Sequence, residues 1–313
     1  MRLVSICGVL TASLVVCPAL AEDCPGNPEA MGTSRTLVVN PADMPLIGGH
    51  QYNKTLPLEP KEFVLTLDDG PMPPQTVEAL EFLKKECAKA TFFLIGRNSR
   101  TYPELVQRIA KEGHTVATHT QTHAYLSRMS FERGVREIDD GFRAAQDALT
   151  PINMKVAPFF RFPGLLGSPT LEGYMQSHGI AVVNTDVLAS DWFHRLQSKP
   201  EGILERAVSR LEEKGSGILL LHDVKKVTVG LLPELFKRLK ERGFKLVHMV
   251  APEGAVPTIP PAPEAAVASN SKEPDKQVRP ARHSRRMAHH RGHRYRTYRS
   301  HSAHLTANRD IAN

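Results

Sequence analysis

Cysteine is scarce in this chain, and its spacing excludes a common class of metal site. Four cysteines occur in 313 residues and none forms a C-x-x-C pair, so no thiolate zinc site can be built from them alone. Cys7 and Cys17 lie within the first 21 residues, which leaves Cys24 and Cys87 as one candidate disulfide or as two separate structural thiols. Tryptophan occurs once, at Trp192. Long apolar runs are also missing beyond residues 3–16, and Pro18, Glu22 and Asp23 stop that run short of the roughly 20 residues a bilayer span needs. Acid is absent from residues 281–304, which hold seven Arg and six His. The formal net charge of +7 therefore lies entirely in that stretch, and the remainder of the chain sums to zero. The basic balance says nothing about the body of the protein.

What is present at the start has the order of a secretory signal. Arg2 precedes the apolar run, and Ala19-Leu20-Ala21 stands before the acidic residues, so cleavage is expected after Ala21. Export to a periplasmic, wall-associated or secreted location follows. The other end begins near 251, where Pro, Ala and Glu dominate through Pro280, and passes into the Arg/His-rich segment. Such composition cannot offset the entropy of ordering a packed core, so a linker over 251–280 and a disordered tail over 281–313 are expected. The tail is either a solubilising appendage or a polycationic tether to an anionic surface, wall polymer or lipid head groups. Nucleic acid is not an expected partner of an exported protein.

Between these ends, after an N-terminal extension over 22–59, residues 60–250 alternate two patterns. Short apolar or β-branched runs occur at 63–67, 90–95, 114–117, 157–160, 180–184, 217–221 and 244–247. Helical patterns separate most of them, such as PELVQRIAKEG from Pro103, with proline in the first turn and Gly113 as a stop. Strands alternating with helices give an α/β protein with parallel strands. About seven units predict a distorted or incomplete (β/α) barrel.

The polar residues follow the strands in register. Asp68 and Asp69 end the first run, His119 and His123 follow the third, Arg161 the fourth, Asp191 and Trp192 the fifth, and His222 the sixth. In a β/α barrel the carboxyl ends of the strands converge on one face, where catalytic groups gather. His119-Thr-Gln-Thr-His123 has the spacing of a metal clip, and Asp69 would complete three ligands while leaving room for water and substrate. Each signal alone has a plainer explanation: surface histidines for the first, a turn or helix cap for the Asp-Asp-Gly. Their shared placement favours one metal site.

Five stretches in the same order resemble the motifs of the polysaccharide deacetylases of the NodB-homology type, carbohydrate esterase family 4. TLDDGP at 66–71 is similar to T-F-D-D-G-P, with Leu67 for Phe, and HTQTH at 119–123 matches H-[ST]-x-x-H. RFPG at 161–164 resembles R-x-P-[YF], SDW at 190–192 the fourth motif, and LLLHD at 219–223 the fifth. The likeness covers about residues 60–250. It implies Asp69, His119 and His123 as ligands of a divalent metal, Zn²⁺ first, with Co, Ni or Mn as alternatives. It implies Asp68 as general base, Arg161 as the partner that orients it and keeps it ionised, His222 as general acid, and Asp191 as a counter-charge to Arg161. Pro163, Gly164, Trp192 and Leu220 fall at substrate-binding positions. Trp192 and Leu220 also have a plain packing role open to them.

This sequence departs from the pattern in three places. Gly164 stands where an aromatic is usual, so its backbone N–H can face an oxyanion but the aromatic wall is missing. Asp186 and Asp191 are separated by four residues rather than two, which leaves Asp186 without a clear role. Leu67 is a mild apolar exchange. The implied activity is hydrolysis of N-acetyl groups from N-acetylglucosamine units of an exported or wall-associated glycan, peptidoglycan or chitooligosaccharide, with release of acetate. O-acetyl xylan is a third substrate class. A glycan-binding surface protein without turnover is the rival of another kind, and it has no need of both a base and an acid.

Overall fold

Strands and helices alternate through residues 24–261, which the structure, a computed structural model, describes. The expected signal segment, most of the linker and the tail lie outside those residues. The strands are β1 (Arg35–Val38), β2 (Leu46–Ile47), β3 (Glu62–Asp68), β4 (Thr91–Leu94), β5 (Thr115–Thr118), β6 (Phe159–Phe160), β7 (Ala181–Val183), β8 (Val187–Leu188), β9 (Gly217–His222) and β10 (Lys245–Val250). The helices are α1 (Gln75–Lys85), α2 (Gly96–Thr101), α3 (Pro103–Lys111), α4 (Phe131–Leu149), α5 (Pro169–Ser177), α6 (His194–Gln197), α7 (Pro200–Lys214) and α8 (Lys226–Glu241). No helix among the described residues is long and apolar enough to cross a membrane.

All strand pairings are parallel. The main path runs β1-β10-β3-β4-β5-β6-β7-β2, while β9 pairs β3 and β8 pairs β9. Among the described residues nothing pairs β8 with β7 or β2, so the barrel stays open there. The expected incomplete barrel is the fold, and all seven expected strands form. Three more, β1, β2 and β8, are two to four residues long, too short to show a period.

Strand alternation decides which residues face inward. On β3, Phe63, Leu65 and Leu67 point to the layer between sheet and helices, whereas Val64 belongs to the cluster inside the barrel. Two-residue parity then carries Thr66 and Asp68 inward as well. The same alternation puts Leu219 and Leu221 outward and Ile218 inward on β9, which aims Leu220 and His222 inside. Ala117 on β5 and Phe159 on β6 set the inner parity that His119 and Arg161 continue.

The segment expected as an extension is part of this structure. Val39, Ile47 and Leu56 join Val64, Phe93, Ile218, Val247 and Met249 in the inner cluster, so residues 35–58 fill the end of the barrel from which the main strands start. Cys24 and Cys87 form a disulfide that ties the chain before β1 to the residues after α1. The first residues of the expected linker also pack. Arg143 Nη1 donates to Pro260 O at 2.7 Å, Thr258 N donates to His178 O at 3.1 Å, and Ile259 lies against the outer core.

Candidate active site

At the opposite end, where the strands finish, the inward-facing residues are charged. Asp68 is the last residue of β3, and Asp69 follows it with φ of 77°, a left-handed conformation that aspartate tolerates better than most residues. This reversal separates two adjacent carboxylates. Asp68 turns down to Arg161, and Asp69 turns across to the histidines. Asn98 holds the turn by donating from Nδ2 to Asp69 O at 2.8 Å. Gly70 is required next, because a Cβ there would lie 2.6 Å from Asp223 Oδ2.

Asp69 Oδ1 lies 3.3 Å from His123 Nε2 and 3.7 Å from His119 Nε2. Donor atoms of the three residues all lie within 4.8 Å of one another. Asp69 Oδ1 is buried and has no hydrogen-bond partner, a costly state for a carboxylate oxygen unless a cation completes it. His119 Nδ1 donates to Arg161 O at 2.7 Å, which fixes the tautomer and leaves the Nε2 lone pair facing Asp69. Burial, with help from neighbouring His123, pushes His119 down to about 3, so the ring is neutral as a ligand must be. The cluster fits a divalent metal.

Arg161 is fully buried yet every group it offers is engaged. Nη1 donates to Asp68 Oδ1 at 2.7 Å and Thr66 Oγ1 at 2.8 Å, Nε to Val183 O at 2.9 Å and Nη2 to Asn184 O at 2.9 Å, and the guanidinium lies 4.1 Å from the Phe93 ring centre. Burial pushes the Asp68 carboxyl above the usual carboxylate range, and Arg161 pulls it back only in part. Arg161 favours the ionised form, as expected, but does not outweigh the cost of burying the charge. The pair gives an oriented carboxylate of raised basicity.

His222 stands on the other side, its Nε2 4.0 Å from Asp69 Oδ2. Asp191 is its partner, not the counter-charge of Arg161 that was expected. Asp191 Oδ1 accepts from His222 Nδ1 at 2.8 Å, and Oδ2 accepts from the His222 backbone N–H at 2.8 Å and from Thr228 Oγ1 at 2.7 Å. Burial alone would depress the imidazole, but Asp191, followed by Asp69 and Asp68, raises it to about 9. The ring is a cation at neutral pH.

The walls come from the neighbouring loops. Half-buried Trp192 packs edge-on to His222 with ring centres 5.6 Å apart. Leu220 is buried two residues below His222 on the same face, and Pro163 is buried beside exposed Gly164. Gly164 has φ of 63°, and a Cβ on it would meet Tyr125 Cε1 at 2.6 Å. Tyr125 thus covers the place of the missing aromatic, two residues after His123 and 6.2 Å from its ring centre. Asp186 is explained by structure alone: it accepts from Gly49 N, Thr55 Oγ1 and Ile218 N and anchors the N-terminal segment. Sequence reasoning missed Thr228 and Tyr125 as neighbours of the site. Neither carries a signal along the chain, whereas Thr66 shares the inner parity of Asp68.

The profile of the polysaccharide deacetylase family matches residues 55–183. The chain is 33% identical over 207 residues to a peptidoglycan-N-acetylglucosamine deacetylase of Bacillus cereus, covering 62% of this chain and 73% of that protein. It is 31% identical over 188 residues to the peptidoglycan-N-acetylmuramic acid deacetylase PdaC of Bacillus subtilis, covering 60% of this chain but 38% of that longer protein. The solved structure of the Bdellovibrio bacteriovorus peptidoglycan deacetylase Bd3279 superposes with a TM-score of 0.62 at 29% identity, over 72% of this chain and 60% of that one. With the motifs, the open barrel and these relatives in agreement, the chain belongs to the polysaccharide deacetylases of the NodB-homology type, carbohydrate esterase family 4.

Proposed function

We propose that the protein removes N-acetyl groups from N-acetylglucosamine units of an extracytoplasmic glycan, of peptidoglycan type ahead of chitooligosaccharide, and releases acetate. One observation carries this reading. The Arg161–Asp68 pair and the Asp191–His222 pair flank the Asp69, His119 and His123 cluster from two sides. A divalent ion, Zn²⁺ first, held by those three ligands would acidify water and polarise the acetyl carbonyl. Asp68 takes the proton from the attacking water as its oxygen bonds to the acetyl carbon. His222, already protonated, gives its proton to nitrogen as the carbon–nitrogen bond breaks. Acetate and a free amine result.

A long substrate is supported by the rim. Met72, Tyr125, Leu166 and Phe193 are exposed, and each lies two or three residues beyond a site residue on a different loop. Apolar faces of sugar rings suit such side chains. Export through residues 1–21 and tethering through residues 281–304 to an anionic surface belong to the same proposal. Deleting residues 262–313, beyond the packed stretch, should weaken binding to anionic wall material in a salt-dependent way and leave turnover of small substrates intact.

The deciding experiment measures acetate from a panel of N-acetylglucosamine oligomers, peptidoglycan and acetylated xylan, with Zn²⁺ and with chelator. Product analysis separates glucosamine from deacetylated muramic acid. Release from the N-acetylglucosamine substrates, lost with chelator, is expected. No release from any substrate in the presence of Zn²⁺, Co²⁺, Ni²⁺ or Mn²⁺ would favour a glycan-binding protein instead.

A further inference from the structure

We propose that a cavity at the N-terminal end of the barrel, opposite the metal cluster, binds a phosphate-bearing ligand. The inference does not rest on the catalytic reading. The cavity has a volume of about 830 Å³, within the range of small-molecule sites and larger than a bare ion needs. Its wall includes Arg35 from β1, Lys84 from α1, Lys89 just before β4, Lys111 and His114 before β5, and His248 from β10.

The charges in this wall are unequally matched. Arg35 is neutralised by Glu62, its Nη2 2.6 Å from Oε2. Glu112, the one carboxylate of the lining, has Oε1 engaged by Arg108, whose Nε lies 2.7 Å away, and Oε2 buried without a hydrogen-bond partner. Among the described residues Lys84, Lys89 and Lys111 have no carboxylate within 4.0 Å. Lys89 is also half-buried and donates to the backbone oxygen of Glu112 at 2.5 Å, which fixes its ammonium at the wall. Lys84 and Lys111 are exposed and Lys89 is half-buried, so the wall offers an incoming anion three cations that no ion pair holds.

The histidines add a neutral donor. His114 Nδ1 accepts from Ala90 N–H at 3.2 Å, so the neutral ring carries its proton on Nε2. That N–H meets no acceptor among the described residues. Burial first, then Lys89 and His248, depress His114 to about 3, so it acts as an N–H donor rather than a cation. His248 is already committed, because Thr115 Oγ1 donates to Met249 O and is left to accept from His248 Nε2 at 2.9 Å. Three ammonium groups and one N–H exceed what a single carboxylate can satisfy. A phosphate group, with its larger charge and three acceptor oxygens, matches them, and the remaining volume takes the organic part that bears it.

The Arg/His-rich tail is a second polycation, so the test must resolve single residues. Lysines of the full chain are briefly acetylated at constant ionic strength and read by peptide mass spectrometry, in chloride, in glycerol 3-phosphate, and with phosphatidylglycerol or phosphatidylcholine vesicles. Lys84, Lys89 and Lys111 should be protected together, at least fivefold, while Lys54, Lys199 and Lys237 are unchanged. Protection by glycerol 3-phosphate identifies a soluble phosphate, and protection by phosphatidylglycerol vesicles alone identifies a lipid head group. The double variant Lys89→Gln/Lys111→Gln should lose the protection of Lys84 while keeping its melting temperature. No protection under any condition, equal protection of the distant lysines, or undiminished protection of Lys84 in the folded double variant would each overturn the proposal.

Discussion

The two ends of the barrel are built from the same strands yet obey opposite rules. Where the strands finish, the inner side chains are charged or polar and each is matched to another: Asp68 to Arg161, Asp191 to His222, Asp69 to two histidines. Where they start, the inner cluster is mainly apolar, residues 35–58 pack against it, and the lysines without an ion-pair partner line the cavity beside it. Loops leave the strands freely at the first end, while packing covers the second apart from the lysine-lined cavity. Changes at the first end should therefore alter chemistry, and changes at the second should alter stability with chemistry intact.

The largest effect should come from the carboxylate pair and the acid facing it. His222→Ala should lower kcat by roughly 10²- to 10⁴-fold, the usual weight of a general acid, with metal content unchanged. Asp69→Ala should lose metal, whereas Asp68→Ala should keep metal and lose rate, as metal analysis beside acetate release would show. Equal loss of metal in both aspartate variants would break the division of labour that the left-handed turn at Asp69 creates.

The covered end supplies the contrasting case. Replacing Cys24 and Cys87 with serine opens a link between residues 63 apart in sequence, and such links typically contribute about 2–4 kcal/mol. Denaturant unfolding should register that loss while kcat stays within a factor of two of the parent. A fall in kcat comparable to that of His222→Ala would show that the two ends are not separable.

Much of the first end was legible because its signals are local. Asp68, His119, Arg161 and His222 sit at strand ends, and alternation along each strand fixes that they face inward. The partner of Asp191 was not legible, because the choice between Arg161 and His222 depends on how the loop after β8 folds back, and Thr228 reaches it from a helix 37 residues away. The second end was missed for a different reason. β1 and β2 are short, and the apolar residues between them have no period, so this stretch reads as part of an extension, whereas tertiary contacts place Val39, Ile47 and Leu56 in the inner cluster.

Asp191 gives a smaller and more pointed test. His222 in the folded protein titrates near 9, above its ordinary 6.5, so its contribution to stability is complete below 6.5 and is lost as pH rises through about 9. The same titration should set the alkaline limb of kcat/KM, since the acid must carry its proton. In Asp191→Asn the largest raising charge is gone, and burial depresses the ring against Asp69 and Asp68 alone. The alkaline limb should then fall below 9 by more than one pH unit. An unmoved limb would mean that Asp191 positions His222 without setting its charge.

The smallest expected effect concerns the one place where the site departs from its family pattern and repairs itself in space. Tyr125 lies over Gly164 and is 44% exposed, so its ring is available to a sugar face. Such a contact contributes about 0.5–1.5 kcal/mol. Tyr125→Ala should therefore raise KM roughly two- to tenfold with kcat nearly constant, and Tyr125→Phe should restore it. Gly164→Ala should imitate the first change although Tyr125 is still present, because the new Cβ would lie 2.6 Å from the ring and must displace it. The two changes act on one contact, so together they should cost no more than either alone. Additive losses would mean that Gly164 and Tyr125 meet the substrate separately, and that the aromatic wall lost at position 164 was not replaced by this ring.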